Sequence, residues 1–341
     1  MRNLSLPVRF AICGVGHIGR RHATLVARHH GAELAALIDV RSDLQPSLAA
    51  EFPDVPFFAS LEEYLQNGPA ADVLTVATPN GLHARQAMAG LHHGLHVVIE
   101  KPIALHSADA EAIVQTARQT GRLAFGVMQN RYSPPAAWLK QIVDEGRLGQ
   151  VFLVQLNCFW NRDARYYQPG GWKGTQALDG GTLFTQFSHF VDLLYWVFGD
   201  ITNISARFRD FTHEGLTEFE DSGLVTFDLA RGGSGTLSYS TAVWDRNLES
   251  SLTVVAERGS LRIAGQYMDK VEYCHLQDYQ MPVLPPTSPA NDYGPFQGSA
   301  ANHVQVIENV VETVQQRSHA TTNALEGLKV VEIIERIYAL R

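Results

Sequence analysis

Gly14-Val15-Gly16-His17-Ile18-Gly19 places three glycines between an apolar run and a segment with helical spacing. Glycine permits a tight turn and close approach of a pyrophosphate, and the helix N-terminus presents free N–H groups and a positive dipole end. Asp39 stands about 20 residues past Gly19, where a carboxylate can hold both adenosine ribose hydroxyls and repel a 2′-phosphate. This predicts NAD binding in preference to NADP, with Arg41 close enough to soften the preference. A glycine-rich turn without ligand would share the same pattern.

A second group is Glu100-Lys101-Pro102, just past an apolar run. A lysine at the carboxyl end of a central strand can bond a substrate hydroxyl and stabilise negative charge as it is oxidised. It can equally be a solvated surface residue. His189 and Asp192 stand three apart in an apolar stretch, on one face of a helix. An imidazole is the commonest general base for an alcohol proton, but a histidine among apolar neighbours is also an ordinary core residue. Arg131, Arg162, Arg165 and Lys173 have the chemistry to hold a carboxylate or pyrophosphate, or to be surface and interface charges. Trp160, Tyr166 and Trp172 can stack on a sugar or fill a core. His92, His93 and His96 straddle a helix stop at Gly94 and share no face, so no metal site is expected.

These groups need a scaffold. Apolar runs at Val8–Cys13, Leu34–Asp39, Asp72–Ala77, His96–Ile99 and Leu123–Val127 alternate with helical patterns. One of these opens on a Ser60/Glu63 capping box, and another on Ser107. That alternation predicts a parallel sheet with right-handed crossovers. From about residue 129 the pattern changes. A helix opens at Ser133-Pro134, Val151–Phe159 is a strand, Phe184–Phe198 an apolar helix, and residues 201–273 alternate as short strands. Met281–Ser299 is read as irregular, and Val304–Leu340 as two helices. The expected architecture is α/β: an N-terminal Rossmann domain over 1–129, then an α+β domain over 130–341 carrying a large open antiparallel sheet, whose C-terminal helices have the option of packing back on the first domain.

With 341 residues, 45% of them apolar, the chain can bury two cores. Its net charge of −8 argues against nucleic acid as a partner. No run of about 18 apolar residues suggests a membrane span. Cys13, Cys158 and Cys274 are scattered, and the N-terminus lacks a signal-peptide profile, so a reducing, cytoplasmic setting is expected.

Gly14–Gly19, Thr78-Pro79-Asn80 with His83, Glu100-Lys101-Pro102, and Gly180-Gly181 through His189 and Asp192 occur in one order along the chain. In this order the chain resembles the glucose–fructose oxidoreductase/inositol dehydrogenase family over nearly its full length. The resemblance implies an NAD-dependent oxidoreductase acting on a CH–OH group, with Lys101 and His189 in the active site and a cis peptide before Pro102. It places Gly14, Gly16, His17, Ile18, Gly19, Asp39, Thr78, Asn80, His83, Glu100, Lys101 and Asn130 beside the cofactor. Lys101, Arg131, Arg165, Tyr166, Trp172, Lys173, Thr185 and His189 are the candidates facing substrate. One departure stands out: many members carry an aspartate four residues before the histidine, where this chain has Thr185. Phe159-Trp160-Asn161-Arg162, Tyr166-Tyr167, Trp172 to Thr175, Asp179-Gly180-Gly181 and Asn247-Leu248-Glu249 are similar to a subgroup oxidising the ring 3-hydroxyl of UDP-N-acetylglucosaminuronate. A free polyol or sugar dehydrogenase of inositol or glucose type, and a dinucleotide-binding sensor without turnover, are the competing expectations. A homodimer or homotetramer built on the open sheet is expected.

Overall fold

Val8–Cys13 (β1) is apolar at every position but Arg9 and buried almost throughout, as a strand covered on both faces requires. It lies inside a six-stranded parallel sheet with β2 (Ala32–Ile38), β3 (Phe57–Phe58), β4 (Val73–Val76), β5 (His96–Ile99) and β6 (Ala124–Gly126), in the order β3-β2-β1-β4-β5-β6. The order reverses between β1 and β4, and the carboxyl ends of strands at such a switch point form the ligand crevice of this architecture. Val15 and Gly14 follow β1 there. The computed structural model describes residues 6–294 and 296–341. It divides into two compact units, one running to Val127 and including His303–Leu328, the other Met128–Asn302 with Lys329–Arg341. The sequence boundary at 129 thus falls two residues past the first break, and the first unit is discontinuous in sequence.

The returning segment completes the first unit at its edge. The Gly126 N–H donates to Thr322 O (3.1 Å), the Thr322 hydroxyl donates to Gly126 O (2.5 Å), and Phe125 bridges Asn323 in antiparallel sense. The Ser60 cap forms as expected, accepting from the Glu63 N–H (3.0 Å). The Glu63 carboxylate reaches back to the Ala59 N–H (3.0 Å). Ser107 differs: it is the first residue of its helix, and the flanking His106 makes no side-chain cap.

The second unit is built on a seven-stranded sheet of β7 (Val151–Phe159), β8 (Ile201–Arg209), β9 (Ser222–Leu229), β10 (Ser234–Ser240), β11 (Glu249–Ala256), β12 (Gly259–Ala264) and β13 (Lys270–Leu276), in the order β13-β12-β11-β7-β10-β9-β8. All its pairs are antiparallel except β7 with β10, which run parallel in register from Leu153 opposite Ser234. One face buries Val154, Leu156, Cys158, Val225, Phe227, Leu237, Tyr239 and Val254. The helix Ser188–Phe198 packs there through Phe190, 5.7 Å from the Trp160 ring centroid, and Phe187 just before it meets Trp160 and Tyr239 at 5.4 and 5.8 Å. The other face leaves Leu153 and Val255, which stand directly opposite each other, and Leu224 exposed.

Two departures from the sequence reading matter for the site. The apolar segment at 184–198 is not one α-helix: a π-helical turn, Leu183–Phe187, precedes the helix that carries His189. Such turns are frequent at functional sites. The segment Met281–Ser299 is not wholly irregular, since Ala290–Asp292 pairs with Gln297–Ala300.

Candidate active site

In the first unit the glycine loop has the geometry that only glycine tolerates at two positions. Gly14 has φ +87°, and a Cβ there would stand 2.7 Å from the Ala77 carbonyl carbon; at Gly19 it would stand 1.7 Å from Gly14 O. The loop therefore lies close against the β4 turn, and His17 opens the helix His17–Arg28. His17 is exposed and Ile18 half-buried, at the mouth of this turn. Asp39, at the end of β2, accepts the Val15 N–H (2.8 Å) and is gripped by Arg41 through Nε (3.0 Å) and Nη2 (2.9 Å). Burial pushes its carboxyl pKa up, but these hydrogen bonds outweigh burial and hold it below the ordinary aspartate range. A glycine loop, a helix N-terminus and an ionised carboxylate at the end of β2 are what a dinucleotide requires. This donor set fits NAD.

Glu100, Lys101 and Pro102 follow β5, with a cis peptide at Lys101–Pro102. Glu100 is buried. Its Oε1 meets His22 Nε2 at 2.8 Å and lies 3.7 Å from His303 Nε2, and its Oε2 accepts the Lys101 N–H (3.2 Å). Burial opposes ionisation of Glu100, yet the His22 and His303 partners hold its pKa well below the ordinary glutamate range. These three groups bring ligand-type atoms within 4.8 Å of one another. The 2.8 Å contact is that of a direct hydrogen bond, and the arrangement is a buried carboxylate held by imidazoles. The carboxylate thus fixes the turn bearing Lys101. His83 ties the same turn to the next one: Nδ1 lies 2.7 Å from Pro102 O and Nε2 2.7 Å from Thr78 O. Burial lowers the His83 pKa while the two carbonyls oppose that shift. Thr78 and Asn80 sit on this turn after β4, Asn80 buried. The first unit therefore gathers Gly14 to Gly19, Asp39, Thr78, Asn80, His83, Glu100 and Lys101 along the carboxyl ends of β1, β2, β4 and β5.

In the second unit, the buried His189 ring meets Gln129, whose amide nitrogen stands 3.3 Å from His189 Nε2. The contact holds the ring through Nε2, and an imidazole so held has the chemistry of a general base. Gln129 had no signature in the sequence. Asn130 beside it is buried, and among the described residues neither its amide nitrogen nor its oxygen has a hydrogen-bond partner.

Two basic candidates are engaged elsewhere. Arg131 is a substrate candidate from sequence, but it forms a fully buried bidentate pair with Asp192, Nε to Oδ2 at 2.8 Å and Nη2 to Oδ1 at 2.6 Å. Breaking such a pair costs about 3–5 kcal/mol, so the pair anchors the His189 helix. Arg165 is held by Asp163 through Nε (3.0 Å) and Nη2 (2.7 Å), half-exposed at the surface. Arg162 is buried, donating to Gln186 Oε1 (2.8 Å) and Gln297 O (3.1 Å), with its guanidinium over the Trp160 and Tyr166 rings.

The structure does bring Tyr166 and Lys173 together. Lys173 Nζ stands 3.8 Å from the Tyr166 ring centroid, and burial, reinforced by the Arg162 charge, lowers its pKa. Trp172 is half-buried beside them in sequence. Thr185, in the π turn, donates its hydroxyl proton to Asp179, a residue whose role the sequence did not disclose. The other Asp179 oxygen accepts the Gly174 N–H (2.8 Å). A cavity of about 630 Å3 opens beside this group, its lining including Asn161, Asp245, Arg246, Asn247, Phe296 and Gln297. Phe296 stacks edge-on with Tyr166 at 5.4 Å. His93 and His96 bond separate backbone groups, Ala89 O and the Leu123 N–H, and do not converge.

A Rossmann nucleotide-binding unit joined to a mostly antiparallel open-sheet unit defines a class of two-domain dehydrogenase. Known proteins define it further. Residues 8–128 match the oxidoreductase family with NAD-binding Rossmann fold, and 137–262 match the GFO/IDH/MocA C-terminal domain. The WlbA dehydrogenase of Bordetella pertussis, solved with NADH and UDP-GlcNAcA, is 30% identical and superimposes with a TM-score of 0.87 over 98% of this chain and 96% of its own. The WlbA dehydrogenase of Chromobacterium violaceum, with the same two ligands, is 29% identical with a TM-score of 0.87 over 98% and 94%. The D-glucoside 3-dehydrogenase of Escherichia coli (strain K12) is 25% identical over 280 residues, 79% of this chain and 75% of that protein. The chain belongs to the GFO/IDH/MocA oxidoreductase family. It is an NAD-dependent oxidoreductase acting on the CH–OH group of a sugar or polyol. Among the described residues no helix is long and apolar enough to cross a membrane.

Proposed function

We propose that this enzyme oxidises the ring 3-hydroxyl of a UDP-N-acetylglucosaminuronate-like nucleotide sugar. The observation that carries the reading is the full-length likeness, at 29–30% identity and a TM-score of 0.87, to two dehydrogenases solved with NADH and UDP-GlcNAcA. The cavity bordered by Arg246, Asn247 and Phe296 supports it. A sugar alone does not need a guanidinium and an aromatic ring beyond the reacting group, whereas a pyrophosphate and a base use both. The D-glucoside enzyme favours a second reading, oxidation of a free sugar.

The bound NAD supplies the hydride acceptor. The residues of the chain handle the proton. The His189 imidazole takes the proton of the hydroxyl as the carbon gives up its hydride and the C–O bond becomes a carbonyl. Lys101 stabilises the negative charge that develops on that oxygen. Tyr166, Trp172, Lys173 and Thr185 hold the sugar. Asn130 joins Gly14 to Gly19, Asp39, Thr78, Asn80 and His83 in holding the cofactor. The enzyme works as a homodimer or homotetramer joined through the sheet face that exposes Leu153, Leu224 and Val255, in the cytoplasm.

The test is NAD reduction, followed at the nicotinamide absorbance, with UDP-N-acetylglucosaminuronate, methyl glucoside and myo-inositol. The nucleotide sugar is expected to have the highest kcat/KM, and free UDP to inhibit it competitively. Faster turnover of methyl glucoside without inhibition by UDP selects the second reading. No reduction with any of the three removes both.

A further inference from the structure

We propose that Asp179 is a positioning residue that turns Thr185 into a one-way hydrogen-bond acceptor for the sugar hydroxyl next to the reacting carbon. The inference rests on the oxidation of a sugar ring hydroxyl proposed above.

Thr185 lies one turn before His189, in the π-helical turn Leu183–Phe187. A threonine hydroxyl has one proton and two lone pairs. Here that proton is directed at the Asp179 carboxylate, with the Asp179 carbonyl as a weaker second acceptor at 3.1 Å. A charged acceptor outcompetes a neutral one, so the proton is spent within the protein. Both residues are buried, Asp179 1% and Thr185 8% exposed, so water does not compete for it. What Thr185 can still offer a ligand is acceptance. A sugar carbon bearing O–H satisfies that need; an ether, a fluorine or a missing hydroxyl does not.

The geometry gives Asp179 a second task. Its other oxygen holds the Gly174 N–H at 2.8 Å, next to Lys173, which lies against Tyr166. One carboxylate thus joins the segment bearing Lys173 to the turn bearing Thr185. A carboxylate at position 185 itself would add a charge one turn from His189. The Asp179–Thr185 pair delivers acceptor character there while leaving the charge six residues back in sequence, in a buried cradle of N–H and O–H donors.

The experiment uses the full chain with NAD and UDP-N-acetylglucosaminuronate, comparing wild type with Thr185→Ser, Thr185→Val, Asp179→Asn and the double variant Asp179→Asn/Thr185→Val. Thr185→Val and Asp179→Asn should each lower kcat/KM by about 10- to 100-fold, the cost of a lost hydrogen bond to an oriented partner. Thr185→Ser should stay within about 3-fold. The double variant should be no worse than the poorer single one, because the two residues act as a unit. NADH affinity should be unchanged in all. The 4-deoxy analogue lacks the hydroxyl vicinal to the 3-carbon; with it, wild type and Thr185→Val should be equal. Wild-type efficiency in Thr185→Val, strictly additive losses in the double variant, or a Thr185→Val defect of the same size on the 4-deoxy sugar each overturn the inference while leaving the proposed function standing. A wild type that reduces NAD with none of the sugars overturns the proposed function, and the inference falls with it.

Discussion

Replacing Asp39 by alanine should narrow the gap between the affinities for NAD and NADP. In the present structure the carboxylate carries a negative charge stabilised by Arg41 at 2.9–3.0 Å and by the Val15 N–H at 2.8 Å. Two ribose hydroxyls bonded to that carboxylate contribute about 1.5 kcal/mol each. A 2′-phosphate brought to about 4 Å would instead meet a repulsion of about 4 kcal/mol at a surface-like dielectric. Arg41, half-exposed and already beside the carboxylate, offsets roughly half of it. The lost 2′-hydroxyl bond and the remaining repulsion together favour NAD by about 3.5 kcal/mol, or about 10²–10³-fold in Kd. Asp39→Ala removes the ribose bonds and releases Arg41, which is then placed to meet a phosphate. Titration calorimetry should show NAD weakened by about 10- to 100-fold and NADP tightened by about 10-fold. The variant should also lose about 1 kcal/mol of stability, because the Val15 N–H loses its acceptor. Equal affinity of the wild type for both dinucleotides, or an affinity ratio unchanged in Asp39→Ala, would refute this reasoning.

His189→Asn and Lys101→Ala should each lower kcat by about 10²–10⁴-fold with NAD affinity retained; an acid limb of the pH–rate profile that persists in His189→Asn removes His189 as the titrating base. Glu100→Gln should destabilise the protein by about 1–3 kcal/mol near neutral pH. The folded-state pKa of Glu100 lies below its ordinary value of 4.5, so its contribution is present above that pH and is lost as pH falls through the folded-state pKa. The gap between wild type and variant in denaturant midpoint should therefore narrow as pH drops below about 4.5, and a gap constant with pH would show that the carboxylate is not stabilised in its ionised form. Light scattering should report a dimer or tetramer at micromolar concentration, and Leu153→Asp combined with Val255→Asp should dissociate it; a wild-type monomer contradicts the role given to the sheet face.

The elements legible in the sequence were those written in neighbouring residues. The glycine loop after β1, Asp39 at the end of β2 and the Ser60 cap each depend on a few consecutive positions, and the structure shows each in place. Side-chain commitments across long separations were not legible. Arg131 and Arg165 have the same chemistry in sequence, but one is sealed against Asp192 and the other clasped by Asp163 at the surface. Nothing local to Arg131 announces a partner 61 residues away. The Gln129 contact with His189 is hidden for the same reason, with 60 residues between them. The π turn before His189 escaped because apolar spacing cannot distinguish a wider turn from an α-helical one. The Asp179–Thr185 bond spans only six residues, yet it crosses the Gly180-Gly181 corner, where no periodic pattern predicts which side chains converge.

The closure of the β6 edge by Thr322 and Asn323 has a consequence for synthesis. β6 is the outermost strand on its side of the parallel sheet, and the residue that bonds Gly126 lies 196 positions later. At about 5–20 residues per second, a ribosome needs about 10–40 s to make that stretch. Throughout this interval the growing chain carries a nearly complete sheet with one bare edge, the kind of surface on which strands of other chains pair. A fragment ending near residue 127 would keep that edge permanently. Yield from such a fragment is therefore expected to be limited by aggregation, and supplying residues 303–328 in trans or by fusion is the rational remedy.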